Sequence, residues 1–207
     1  MAIIAENKGT NYEPIPAGNY VARCYSMIHI GTVTENVMGT DKQLNKVRLT
    51  FELPTETKVF KEENGEQPHV ISKEFTLSMH EKATLRKMLE SWRGKGFSEQ
   101  EAKGFDITVL CGKPCMLNVI HKPSKDGSKV YAEISSISSM PKGLQCPPQV
   151  NPDFILSYDN FNNEAFEKLP DFIKDKIKSS AEYKKLMDPS HTEAEPASVE
   201  AEDDLPF

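Results

Sequence analysis

Asp203-Asp204-Leu205-Pro206-Phe207 is the stretch of this chain whose residue types and order carry the most chemistry. Leu205 and Phe207 suit a small apolar pocket, and Pro206 restricts the backbone between them, which lowers the ordering cost of docking. The carboxylate of a chain ending at Phe207 suits the fork of an arginine, and Asp203 and Asp204 suit a basic rim. These five residues read as a peptide ligand that another protein grips, against the plainer reading of a solvated tail. A second set of residues mixes cations with aromatic rings: Arg23 with Tyr25, Lys46 with Arg48, Arg93 and Lys95 within Trp92-Arg93-Gly94-Lys95-Gly96-Phe97, and Lys122, Lys125 and Lys129 with Tyr131. Rings that stack on unpaired bases and cations that follow phosphates are the chemistry of sequence-tolerant binding to a single nucleic-acid strand.

Each group also has a plain structural reading. Lys46 and Arg48 are the wet side of a half-buried strand if Val47 and Leu49 are core, and hairpin lysines such as Lys122, Lys125 and Lys129 are often only solvated. Trp92 continues a helical apolar stripe and is expected in the core, leaving Arg93 and Lys95 as the contacts of that loop. Cys111 and Cys115, with His121 nearby, have a spacing tolerable for zinc. No second paired site follows, however, and Cys115 begins an apolar strand, so buried free thiols and no metal are expected. No phosphate-cradling glycine loop, paired-histidine helix motif or nucleophile elbow occurs, so binding rather than catalysis is expected, with no cofactor.

The elements that must position these residues follow from composition and period. The chain has 207 residues, 38% hydrophobic and 27% charged, enough for one domain with appendages. No apolar run approaches the roughly 20 residues of a bilayer span. The start, Met1 to Glu6, has no basic segment or cleavage site of a secretory signal. Four cysteines do not make a disulfide scaffold, so a reducing, cytoplasmic location is expected. Acidic residues number 31 against 25 basic. Seven of those acids (Asp188, Glu193, Glu195, Glu200, Glu202, Asp203 and Asp204) lie in residues 188–207, which hold no Lys or Arg. Subtracting them leaves 24 acids against 25 bases, so the body is near neutral. Its charge permits a basic groove without arguing for one.

Gly18 to His29 reads as a strand, with Arg23, Tyr25 and Met27 on one side and Tyr20, Ala22 and Cys24 on the other; Gly31 suits a bulge or bend. The polar stretch from Thr34 to Asn45 reads as a loop. From Lys46 to Leu53 the alternation is clean, and Pro54 is expected to end that strand. The charged stretch from Lys58 to Pro68 reads as an extended hairpin loop, and Val70 to Met79 as a third strand. Then the period changes: Leu85, Leu89 and Trp92 fall on a helical stripe, with Ser78 and Glu81 as a capping box and Gly94 as the stop. Ser98 and Glu101 repeat the capping pattern before a short helical turn. Lys113 to Lys122 and Ser128 to Ser138 read as two strands joined through Asp126-Gly127.

The expected fold is therefore mainly β with helical additions: three strands, a helix and two strands, the order of the five-stranded Greek-key OB-fold barrel, within residues 1–140. The competing reading is a general α+β sheet with one covering helix. Residues 141–153 read as a linker, and 154–187 as two or three short helices packed on the barrel or another subunit, one of them running from about Asp171 to Ser179 after Pro170. Residues 188–207 lack basic residues and have no aromatic before Phe207, which reads as a disordered acidic tail.

The tip resembles the C-terminal end of bacterial single-stranded DNA-binding proteins, which finish in Asp-Asp-(Ile/Leu)-Pro-Phe. The body is similar to phage- or prophage-encoded versions, on an opening Pro16-Ala17-Gly18-Asn19-Tyr20 and a segment Leu169 to Ile177 that bracket a barrel. The resemblance implies an OB-fold that coats single-stranded DNA without sequence preference in replication, recombination or repair in a bacterial host cell. Its tip, Asp203 to Phe207, would recruit host or phage genome-maintenance enzymes, and a homo-oligomer is compatible with it. The alternatives are a decoy that mimics the tip without binding DNA, and a single-strand annealing protein. One departure concerns reach, since family linkers are often long and rich in Gly, Gln and Pro. Twenty residues span only about 25 Å, at roughly 5–6 Å × √n.

Overall fold

β1 (Gly18–Val37) pairs with β2 (Thr40–Val59) on one side for most of its length. Its other side is shared, β4 (Pro114–Pro123) pairing along Gly18 to Arg23 and β6 (Phe154–Leu156) along Ser26 to Ile28. The computed structural model describes residues 13–124 and 126–188. The protein is mainly β: a sheet of order β3-β2-β1-β4-β5 with β6 added to β1, antiparallel except for the β1–β6 pair. β3 is Glu66–Thr76 and β5 is Val130–Ser138; α1 (Thr84–Arg93) and α2 (Glu99–Lys103) lie between β3 and β4. Among the described residues no helix is long and apolar enough to cross a membrane.

Two register shifts, at Cys24/Ser26 and His29/Gly31, decide which way β1 points its side chains. Each extra residue reverses the alternation. Met27 therefore joins Ala22 and Cys24 in the main core, not the side of Arg23 that unbroken alternation assigns it. Ile28, Ile30 and Val33 instead form a second core with Leu156, Phe166, Ile173 and Ile177, the last three from α3 (Asn163–Glu167) and α4 (Asp171–Ser179) and β6 supplying Leu156. The strand is buried on both faces because the C-terminal helices cover its outer one. Gly31 belongs to this arrangement. Its φ is +91°, and a Cβ there would lie 2.6 Å from Glu182 Oε2, on the helix α5 (Ala181–Leu186) packed above it.

Several local expectations are corrected. Residues from Thr34 to Asn45 are not a loop: β1 and β2 continue as an arm closed by Met38 and Gly39, whose φ values of 53° and 83° suit a two-residue turn of the primed kind. Pro54 does not end β2, because the strand passes it within a break in pairing between Leu53 and Thr57, where no ladder donor is needed. The β2–β3 connection is short, with a 3-10 turn at Glu62–Asn64, and β3 starts at Glu66. Ser78 does not cap α1, which starts at Thr84 with Ala83 as N-cap and no side-chain cap. The Ser98–Glu101 capping box forms, and Gly94 ends α1 in the left-handed region. β6 falls in a stretch expected to be helical.

The segment from Pro141 to Asp153, expected to act as a linker, is held on the sheet. Glu52 is fully buried on β2, and its carboxylate accepts from Val150 N (3.0 Å), Asn151 N (2.8 Å) and Asn151 Nδ2 (2.7 Å). Such a carboxylate is tolerable in a dry site because three donors satisfy it.

Candidate nucleic-acid interface

The outer face of β2 and β3 carries Lys46 opposite Thr76, Arg48 opposite Glu74, and Thr50 opposite Ser72. α4 lies against this face through Phe172 and Lys176. The Phe172 ring sits 5.5 Å from the Arg48 guanidinium carbon and is 62% exposed, so it is held in place yet open to a ligand. Lys176 Nζ reaches Glu74 Oε2 (2.6 Å) and Glu35 Oε1 (2.9 Å), while Glu35 Oε2 meets Lys46 Nζ at 2.9 Å. Arg48 Nη1 is 3.3 Å from Glu74 Oε1. The hydrogen bond from Lys46 outweighs partial burial and, with Lys176, holds the Glu35 carboxyl below its ordinary range. Burial alone would lower the Lys176 ammonium, but its bonds to Glu74 and Glu35 raise it instead.

A groove of about 580 Å³ continues from Lys46 between β3 and the start of α1, lined also by Lys73, His80 and Lys82. Lys73 lies in the core-facing row Ile71-Lys73-Phe75 of β3 and spans the gap to β5. Its ammonium donates to the Ile134 carbonyl and meets Glu133 Oε1 at 3.2 Å. Among the described residues β3 and β5 share no strand pairing, so this side chain stands where a backbone ladder would otherwise close the sheet. Glu133 Oε2 also meets Lys122 at 2.7 Å. The hydrogen bond from Lys122, against partial burial and with help from Lys73, depresses the Glu133 carboxyl. Lys122 is the cross-strand partner of the half-exposed Tyr131.

The result is one chain of charges: Lys122, Glu133, Lys73, the groove, Lys46, Glu35, Lys176, Glu74 and Arg48. Exposed rings, Tyr131 and Phe172, stand at its two ends. Five cations face three carboxylates, a surplus of two positive charges; Lys122 is half exposed, and Lys73, Lys46, Lys176 and Arg48 are partly buried. The carboxylates hold the ammonium groups in place without using all their donors, so a phosphate can add to them or displace the carboxylates.

The structure brings Lys46, Arg48, Lys122 and Tyr131 onto this path and leaves others off it. Arg23 donates to the carbonyls of Gly112 (2.7 Å) and Pro147 (3.0 Å), which fixes the segment after β5 to β1. Tyr25 is the extra residue of the first bulge and is half-buried; burial, then the Glu52 carboxylate, push its hydroxyl up. Arg93 lies between Phe97 (4.1 Å) and Phe105 (4.9 Å) and meets Glu101 at 2.7 Å with its side chain 11% exposed. Lys95 is the exposed cation of that loop, 3.9 Å from Glu101. Lys129 is exposed on the β4–β5 turn. Lys125 and the tip Asp203, Asp204, Leu205, Pro206 and Phe207 lie outside the described residues.

Three contributors escaped the sequence reading. Lys73 had a visible signal, a lysine in the apolar row between Ile71 and Phe75. Phe172 had a weaker one, an aromatic beside the Ile173/Ile177 stripe rather than on it. Lys176 had none. Trp92 is in the core, its Nε1 donating to the Pro114 carbonyl at 2.9 Å. Cys24 and Cys115 are buried free thiols, and burial, then Asp153, pushes the Cys111 thiol up to about 11. Among the described residues no cluster of metal-ligating side chains occurs. No protein-family model matches this chain, and no curated protein matches it either.

Proposed function

We propose that this protein binds single-stranded DNA along the path from Tyr131 to Phe172 and recruits other proteins through Asp203 to Phe207. The observation that carries the reading is the pre-ordered row of five cations, ended by two exposed rings and running beside an open groove. Phosphates of a flexible strand follow such a row, and bases stack on the rings whatever their identity. The strand order, with α1 between β3 and β4 and Lys73 bridging β3 to β5, supports the finer reading of a five-stranded OB-fold barrel. The resemblance of the tip to that of bacterial single-stranded DNA-binding proteins supports a role in replication, recombination or repair in a bacterial host, whether the gene is the host's or a phage's.

A second reading is favoured by one observation: all five cations already have carboxylate partners. A decoy that displays the tip and binds no DNA would have no use for free cations. Anisotropy of a labelled oligo-dT separates the two. The binder raises anisotropy in a salt-dependent way, whereas the decoy leaves it flat at low salt. Trp92 is a poor reporter here, being only 5% exposed inside the core.

A further inference from the structure

Beneath the Lys73 bridge, where β3 and β5 part and α1 crosses both, lies a second cavity of about 210 Å³. Phe75, Met88 and Ile137 form its apolar floor, and its rim carries the hydroxyls of Ser91 and Ser136 and the ammonium of Lys87. Among the described residues no acidic side chain lines it, and Glu133 of the charge row is engaged by Lys73 and Lys122. Lys87 is exposed and makes no ion pair among the described residues. The cavity shares Lys73, Phe75 and Thr84 with the larger groove, so the two adjoin.

These features select a ligand. An apolar floor takes a flat ring, hydroxyls at the rim both donate to and accept from the polar edge of such a ring, and an unpaired ammonium takes an anion. The volume is below the roughly 300–1,000 Å³ of drug-sized sites, which limits the guest to one ring system and its attachment. We infer that this seam cavity holds a single nucleobase whose phosphate is held by Lys87. The source of that nucleotide, a base turned out of a bound strand rather than a free mononucleotide, rests on the single-strand reading above. A base turned out at this point gives the strand a fixed register in a protein that otherwise grips it without preference.

The test uses amide NMR on the full chain, with dTMP, thymidine and inorganic phosphate titrated separately. dTMP is expected to give saturable shifts centred on Ser91, Ser136 and Lys87, with thymidine and phosphate each weaker. Lys87→Glu should weaken dTMP about tenfold, the effect of losing one charge-assisted contact. Ser136→Phe, which fills the cavity, should abolish the shifts while leaving the fold's amide pattern intact. Oligo-dT should displace dTMP from the seam, and an oligonucleotide with abasic sites throughout should not. If oligo-dT binds but dTMP produces no saturable shift at the seam, the inference is overturned and the strand reading stands. If dTMP binds and oligo-dT does not, the cavity serves free nucleotides and the strand reading falls.

Discussion

Arg48 and Arg93 each lie against phenylalanine and each meet a glutamate, yet the two sites have opposite characters. Arg93 is enclosed by Phe97 and Phe105 and is 11% exposed, so its ring contacts and its bond to Glu101 join α1 to α2 and the turn after it. Arg48 supports Phe172 from below while the ring stays 62% exposed. A cation against aromatic rings is thus closed off where two rings enclose it, and in the proposed function it is left available for recognition where its single ring stays open. What separates the two is which neighbour closes the far side. At Arg93 the chain closes it with Phe105, twelve residues on. At Arg48 a helix that follows more than a hundred residues later leaves it ajar.

Charge reversal on the open side has the largest expected effect. Lys46→Glu with Arg48→Glu should weaken oligo-dT binding at least about a hundredfold at low salt, since two attractions become repulsions. Anisotropy titrations read this effect. Phe172→Ala should cost about 1–3 kcal/mol of binding, the range for one stacked base, with little loss of stability because the ring is exposed. Arg93→Ala should do the reverse. It removes an enclosed guanidinium and its ring contacts, lowering unfolding stability by about 1–3 kcal/mol in urea titrations and leaving oligo-dT affinity within about twofold. A large loss of affinity in Arg93→Ala would erase the distinction between the sites.

Substitution of Glu35 has smaller effects. Glu35→Gln removes one of the three carboxylates that compete with phosphate, so oligo-dT should bind a few-fold more tightly, about 0.5–1 kcal/mol, while α4 docks less firmly. The same carboxylate sets a pH response. Its folded pKa is depressed, so the stability it adds is fully present above its unfolded value of about 4.3 and is lost as pH falls through the lower folded value. Wild type should therefore lose its advantage in melting temperature over Glu35→Gln as pH is taken from 6 to below about 4, and a gap that stays constant with pH would contradict the contacts of Glu35 with Lys46 and Lys176.

Much of the scaffold was legible because local rules decide it. The alternation at Val47, Leu49, Phe51 and Leu53, the stop at Gly94, the Ser98–Glu101 box and the helix after Pro170 each depend on residues a few positions apart. Side-chain direction in β1 was legible only in part. Gly31 marked the second bulge, at Ile30, whereas nothing local marked the first, at Tyr25, and each turns over the face that alternation assigns. Site residues split in the same way. Lys46 and Arg48 could be read from their strand, whereas their carboxylate partners and Phe172 come from remote segments. Arg93 and Arg23 look like surface cations until Phe105 and Pro147 fold over them.

Whether one row of five cations grips a single strand is read from the salt dependence of oligo-dT affinity for the full chain. Single-stranded nucleic acid contributes a slope of about −0.7 in log K against log salt for each phosphate neutralised. Five contacts should give a slope of about −3 to −4, reduced in magnitude by about one to two units in Lys46→Ala with Arg48→Ala. A flat response, or a slope that the double variant leaves unchanged, would contradict it.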